Sequence, residues 1–255
     1  MFKKFMLLSV LLLSVPSLSQ AAGIEAIAAK IQAKYATYQD KMRNMVITKE
    51  MVMSQRGMDM KMQTKTMIKG EKSRIEQTMD MPQMGAMTTI IINDGQNIWS
   101  INPMMGKMML PKNQADQQPR DYGTWWNYLE GAQLLGEEQL NRRDCYVIQP
   151  SPDSKLSFEK IWLDKSTLGM VQAIKGQLRI SNSDFRNVGG IDLPHTIEIY
   201  NGDQLMGTGH VLSYEFGVNL PDELFNPDLV PGAEQGGGQM QGMLQKILQA
   251  QNKQQ

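Results

Sequence analysis

Methionine is the one chemically distinctive side chain this sequence carries in quantity, with 22 among 255 residues against one cysteine and two histidines. Sixteen of the 22 fall between Met42 and Met109, and Met51, Met53, Met58, Met60, Met62, Met79 and Met81 recur in i, i+2 sets. An unbranched, polarizable thioether adapts to partners of variable shape, and such side chains are overused on surfaces that bind many of them. The chemistry expected of these seven is a deformable lining for an acyl chain or another apolar ligand. Methionine also fills ordinary cores in place of leucine, so the pattern by itself leaves plain packing open. Thioether sulfur is in addition a soft ligand that selects Cu(I). Copper sites usually mix methionine with histidine or cysteine, and His195, His210 and Cys145 all lie outside the Met-rich segment.

Catalysis finds little support. The chain has no G-x-S-x-G elbow, no G-x-x-x-x-G-K-[ST] phosphate loop, no H-E-x-x-H pair and no Cys–His arrangement. Gly207-Thr208-Gly209 sits in strand-like sequence and does not open a helix, so it is no dinucleotide fingerprint. We expect no enzyme, no cofactor and no metal. The formal charge is balanced, with 26 basic and 26 acidic residues, which gives no electrostatic reason to expect nucleic acid or an anionic membrane surface.

The elements that would position the methionines come next. Lys3 and Lys4, the apolar run Phe5 to Val15, Pro16 and the small residues around Ala21 have the layout of a secretory signal. The run is too short for a permanent membrane anchor. Cleavage is expected after Ala21, leaving a protein that works in the periplasm; residues 1–21 are the signal, 22–231 the folded domain and 232–255 a Gly/Gln/Met-rich tail. Ile24, Ile27, Ala28, Ile31, Tyr35 and Tyr38 are spaced as the apolar face of a helix over about Gly23 to Asp40.

From there the period becomes two. In Met58 to Thr66 one parity is methionine and threonine while the other holds Asp59, Lys61 and Lys65, the pattern of a strand with one wet face. Ten further strand-like segments follow or precede it, ending with Gln204 to Phe216, with turns at Gln55 to Gly57, Lys69 to Glu71 and Asn93 to Gly95. Trp125 and Trp126 recur with Tyr122 and Leu129 at helical spacing. They are candidates for a lid over the ligand, or for the buried face of a short helix. In the tail, Gly236 to Gly238 reads as a joint, and Met240, Met243, Leu244, Ile247 and Leu248 as one apolar helical face. A sheet with one apolar face must bury it against something.

The order of several segments resembles the LolA/LolB-like superfamily of periplasmic lipoprotein carriers, and within it the branch of outer-membrane lipoprotein-sorting proteins. A helix directly follows the signal. The segment Ile92 to Pro103 carries Asp94, Gly95, Trp99, Asn102 and Pro103 as in that family's DGxxxWxYNP hairpin. Ile161 to Asp164 is similar to its later xWID strand, and Leu224-Phe225 before Pro231 to its LFxxP closure. The resemblance implies a mainly β fold: an unclosed, strongly curved antiparallel barrel of about eleven strands, with helices covering the concave face. It further implies a carrier for a lipid or lipoprotein acyl chain, working with an inner- or outer-membrane partner protein. The family's carriers hold their helical lid with an arginine after the second long strand; here that place reads Lys69 to Lys72, with Arg74 nearby. A partner-binding regulatory module of the same fold and a Cu(I)-binding protein are the alternatives. Nothing in the sequence sets the oligomeric state.

Overall fold

The computed structural model describes residues 18–55, 58–81, 85–111, 128–154, 156 and 158–231. Helix α1 (Leu18–Tyr35) runs on through a 3-10 turn into the one-turn α2 (Gln39–Met42). Six strands follow: β1 (Asn44–Gln55), β2 (Met58–Lys69), β3 (Lys72–Met81), β4 (Gly85–Asn93), β5 (Ile98–Asn102) and β6 (Gly106–Met109). The second run holds β7 (Gln133–Leu140), β8 (Arg143–Gln149), β9 (Lys160–Asp164), β10 (Met170–Lys175), β11 (Leu178–Val188), β12 (Ile191–Asn201) and β13 (Gln204–Phe216). All thirteen form one unclosed antiparallel sheet. Each run is a meander in chain order, and the two meet at the centre where β1 pairs with β13. Trp125, Trp126 and the tail after Pro231 lie outside the described residues.

The count exceeds the expected eleven for two local reasons. Gly136 to Gln149, one strand-like segment by its sequence, is two strands, because the chain reverses at Asn141 and Arg142, both left-handed (φ 53° and 64°). That geometry is what a tight hairpin needs, but an Asn-Arg pair is a poor signal for it. The short β6 pairs with β5 through a turn led by the Asn102 side chain, whose oxygen accepts from the Met104 N–H.

The helix buries the face its spacing announced. Ile24, Ile27, Ile31 and Tyr35 are all buried, Ile31 completely. They pack on Ile148 of β8, Ile161 and Leu163 of β9, Ala173 of β10 and Ile191 of β12. We call this side of the sheet inner. α1 therefore covers the inner face of the second run of strands, where removal of apolar area from water supplies the driving force.

The outer face of the first run is closed by other means. Two 3-10 turns, Asp222–Phe225 and Pro227–Leu229, lay Leu220, Phe225 and Val230 over Val46, Met67, Ile92 and Ile101. Lysine and arginine side chains pin this segment by its backbone: Lys69 Nζ donates to the Leu220 carbonyl at 2.8 Å and an Arg74 guanidinium N–H to that of Leu224 at 3.0 Å. Lys72 pairs with Asp222 at 3.0 Å, and Lys107 with Asp228. Arg74, which also donates to Glu76 at 2.8 Å, thus holds the C-terminal closure rather than the helix.

The segments that carry the family resemblance are fasteners of the same kind. The Asp94 carboxylate accepts from the N–H groups of Gln96 and Asn97 and from the Trp99 indole at 2.9 Å, fixing the β4–β5 hairpin. Burial alone would raise its pKa, but these donors hold it below the ordinary value. Trp162 is buried and donates to Glu138 at 2.9 Å; Trp99 is only half-buried.

Candidate ligand-binding site

Below the C-terminal end of α1 lies a cavity of about 310 Å³ whose walls are almost entirely apolar. Tyr35 and Met42 roof it, Met45 and Ile47 of β1 and Tyr214 and Phe216 of β13 form one wall. Leu193 of β12, Phe185 of β11, Met170 of β10 and Ile161 of β9 form another, and Leu156 and Phe158, ahead of β9, add to it. β1 and β9 are five strands apart in the sheet, about 24 Å if it were flat. Side chains of both can line one small cavity only because the sheet curls.

The polar groups around the cavity are quenched. Asn182 donates to the Met170 carbonyl at 2.8 Å, and the Tyr214 hydroxyl to that of Pro194 at 2.6 Å. Burial pushes the Tyr214 phenol up to about 12; burial and the nearby Asp192 carboxylate do the same for Tyr35. Both rings therefore stay neutral across any working pH. Asp192 itself faces the Lys34 ammonium at 3.8 Å. An apolar cavity whose polar wall groups are hydrogen-bonded or ion-paired can hold an apolar group.

The methionines sit beside this cavity on the same side of the sheet. On β1 the inner parity is Met45, Ile47, Lys49, Met51 and Met53, so Met51 and Met53 share the cavity's face of the sheet, beyond Lys49. Met51 stands directly opposite Met62 on β2, Met62 opposite Met79 on β3, and Met79 opposite Met87 on β4. Met53 stands opposite Met60. Directly opposed residues bring their Cβ atoms to about 5 Å, so four strands present one continuous thioether row. Met51 is buried; Met53, Met60, Met62, Met79 and Met87 are half-buried. The other parity of β2, Asp59, Lys61, Gln63 and Lys65, is exposed. Of the seven methionines singled out from the sequence, the five whose side chains are described do not line the 310 Å³ cavity, which takes Met42, Met45 and Met170 instead. Met58 and Met81 lie in β2 and β3, with side chains outside the described set.

Two glycines make room for the row. Gly209 and Gly207 of β13 are the partners of Met51 and Met53. A Cβ on Gly207 would collide with Met53 Sδ and stand 2.9 Å from the Val52 carbonyl oxygen; one on Gly209 would stand 3.2 Å from Met51 Cε. The methionine side chains thus lie across β13, and the Gly-Thr-Gly sequence serves packing. Gly207→Val is expected to cost about 1–3 kcal/mol through overpacking, read as a lower urea midpoint. An unchanged midpoint would mean that Met53 swings aside freely.

Sequence reasoning missed Leu193, Tyr214 and Phe216 as cavity residues. Tyr214 and Phe216 do share a strand parity, but which strands curl onto which is not written in alternation.

No protein-family model matches this sequence, and no curated protein matches it. Solved structures do match in three dimensions. A DUF1329 family protein from Desulfovibrio piger superposes with TM-score 0.59 at 15% identity, covering 82% of this chain and 97% of that one. A domain assigned to outer membrane lipoprotein sorting from Vibrio parahaemolyticus gives 0.58 at 15% identity, covering 81% and 98%. A LolA superfamily protein from Nitrosomonas europaea gives 0.59 at 16% identity, covering 80% and 99%. With an unclosed curled sheet, one long helix laid across its inner face and these neighbours, the chain has the LolA-like fold.

Proposed function

We propose that this protein is an exported carrier that takes an apolar chain, from a lipid or a lipoprotein, reversibly into the cavity under α1, with no bond made or broken. The observation that carries the reading is the cavity itself: about 310 Å³, walled by α1, α2 and six strands of the sheet. Its volume lies at the small end of the ~300–1,000 Å³ typical of ligand pockets, which suits one chain. The methionine row adds a second stretch of apolar surface on the same face, beyond Lys49. Structural neighbours assigned to lipoprotein sorting and to the LolA superfamily support the same class of role. Cleavage after Ala21 would keep Ile24, Ile27, Ile31 and Tyr35, the buried residues described on α1, in the mature protein. Among the described residues no helix is long and apolar enough to cross a membrane. Release would then need a partner protein that offers the chain a better site.

The test fills the cavity. Met170→Trp should weaken binding of an uncharged naphthylamine probe at least about tenfold, while Lys61→Glu on the exposed parity leaves it unchanged. A tenfold loss corresponds to the ~1.4 kcal/mol that a few displaced methylene contacts supply. Normal probe binding by folded Met170→Trp protein would remove the cavity as the site. The thioether row supports a second reading, Cu(I) binding, which metal analysis of the protein purified from periplasm decides.

A further inference from the structure

Between the cavity wall and the methionine row runs a polar band. Lys49 is paired with Val211 on β13 and Thr64 on β2, Thr64 with Gln77 on β3, and Gln77 with Thr89 on β4. All stand on the inner face. Ile47, Thr66, Ile75 and Ile91 form the row on the cavity side; Met51, Met62, Met79 and Met87 form the row on the other. Lys49 follows Ile47 on that face by two residues, about 7 Å along the strand.

Two groups in the band lack what buried polar groups need. Lys49 is half-buried and has neither an ion pair nor a hydrogen bond among the described residues. Burial alone pulls its pKa below the ordinary value, the mark of an ammonium stripped of water without a compensating anion. Thr64 Oγ1, on the strand directly opposite, is buried with no hydrogen-bond partner. By contrast Thr89, further along the band, accepts from Asn102 at 2.9 Å.

The acids of the surrounding strands are all committed elsewhere. Glu50, Asp59, Glu76 and Asp80 occupy the outer parity of β1, β2 and β3. Glu50 accepts from Gln63, Asp59 from Ser54 and Glu76 from Arg74. Glu215 of β13 pairs in register with Val46, and Glu198 of β12 with Thr208, both on the outer face. Asp192 at the cavity is matched by Lys34.

A half-buried cation that none of these acids meets is costly unless something anionic comes to it. The ammonium offers donors only, and the unpartnered hydroxyl beside it has an O–H to add, which together meet what a carboxylate or phosphate oxygen requires. We infer that Lys49 and Thr64 bind the anionic head group of the ligand, so that the protein selects acidic amphiphiles over neutral ones, with the apolar chain passing from Lys49 past Ile47 and Met45 into the cavity. This rests on the cavity reading above and narrows it to a chemical class.

The experiment compares palmitic acid, its methyl ester and a one-chain palmitoyl lysophosphatidic acid by displacement of the uncharged probe. Wild-type protein should prefer the acid to the ester about tenfold or more, the range of a charge-assisted hydrogen bond. Lys49→Met, which extends the thioether row, should abolish that preference while leaving ester affinity unchanged, and Lys49→Gln should do the same if Lys49→Met folds poorly. Thr64→Val should reduce the preference in part. Tighter binding of the phosphate ligand than of the acid identifies a phosphate head group, and the reverse a carboxylate. Equal affinity of wild type for acid and ester, or a preference retained by both Lys49 variants, overturns the head-group site while leaving the cavity reading intact. Failure of every ligand, ester included, to displace the probe overturns the cavity reading and this inference with it.

Discussion

Phe225→Ala will lower stability by about 3–5 kcal/mol, the range of large-to-small substitutions at fully buried aromatics. Phe225 is 1% exposed and packs in one cluster with Val46, Met67, Ile92, Ile101, Leu220 and Val230. Its neighbours belong to strands fixed by their own ladders, so they can close on the vacated volume only in part, and the cavity term adds to the lost transfer energy. For a chain of this size each kcal/mol moves the melting temperature by roughly 2–4 °C, giving a fall of about 6–20 °C. Leu229→Ala four residues on, at a side chain 58% exposed, should change it by under ~0.5 kcal/mol. A Phe225→Ala protein that melts with wild type would mean the C-terminal turns are not seated on the outer face.

The second large effect is at Asp164. Its side chain is 4% exposed and meets an Arg143 guanidinium N–H at 2.7 Å. The Ser166 hydroxyl and the N–H groups of Ser166 and Thr167 donate to its other oxygen. Burial would raise the pKa, but these donors outweigh it and hold the carboxyl well below the usual carboxylate range. Asp164→Ala leaves Arg143 unpaired and two backbone donors orphaned, at a cost of about 3 kcal/mol. The pH dependence follows from the sign of the shift. A folded-state pKa below the unfolded value of ~3.9 gives stability that is fully present above ~pH 4 and lost as pH falls toward the folded value. The difference in urea midpoint between wild type and Asp164→Asn should therefore be flat from pH 7 to about 5 and shrink below 4. A difference that grows on acidification would contradict the donor arrangement.

Much of this fold was legible because β2 alternates so strictly: from Met58 to Lys65 a charged or amide side chain follows each methionine or threonine, which leaves only one way to face the strand. The helix was legible from Ile24, Ile27 and Ile31 for the same reason at the other period. β11 and β12 were harder. Pro194 lies inside β12, and Asp184 on β11 is left-handed at φ 51°, so turn-like residues stand within a ladder that neighbouring strands hold together on both sides. The cavity was not legible at all. Its walls are drawn from strands far apart in sequence, and curl is a property of the assembled sheet. Lys49 in particular looked like one more strand lysine; what distinguishes it is the set of acids that register sends to the opposite face.

The pairing of β1 with β13 has a consequence in time. Each meander can zip as its chain appears, hairpin by hairpin, because its contacts are local. The central seam cannot, since Met45 meets Phe216 across nearly the whole described length, and that closure is slow and comes after the last strand is made. Until then the nascent chain consists of two half-sheets, with the inward edges of β1 and β12 both unpaired. The two half-sheets become one only when β13 joins β1, and the turns that cover the outer face come after it in the chain.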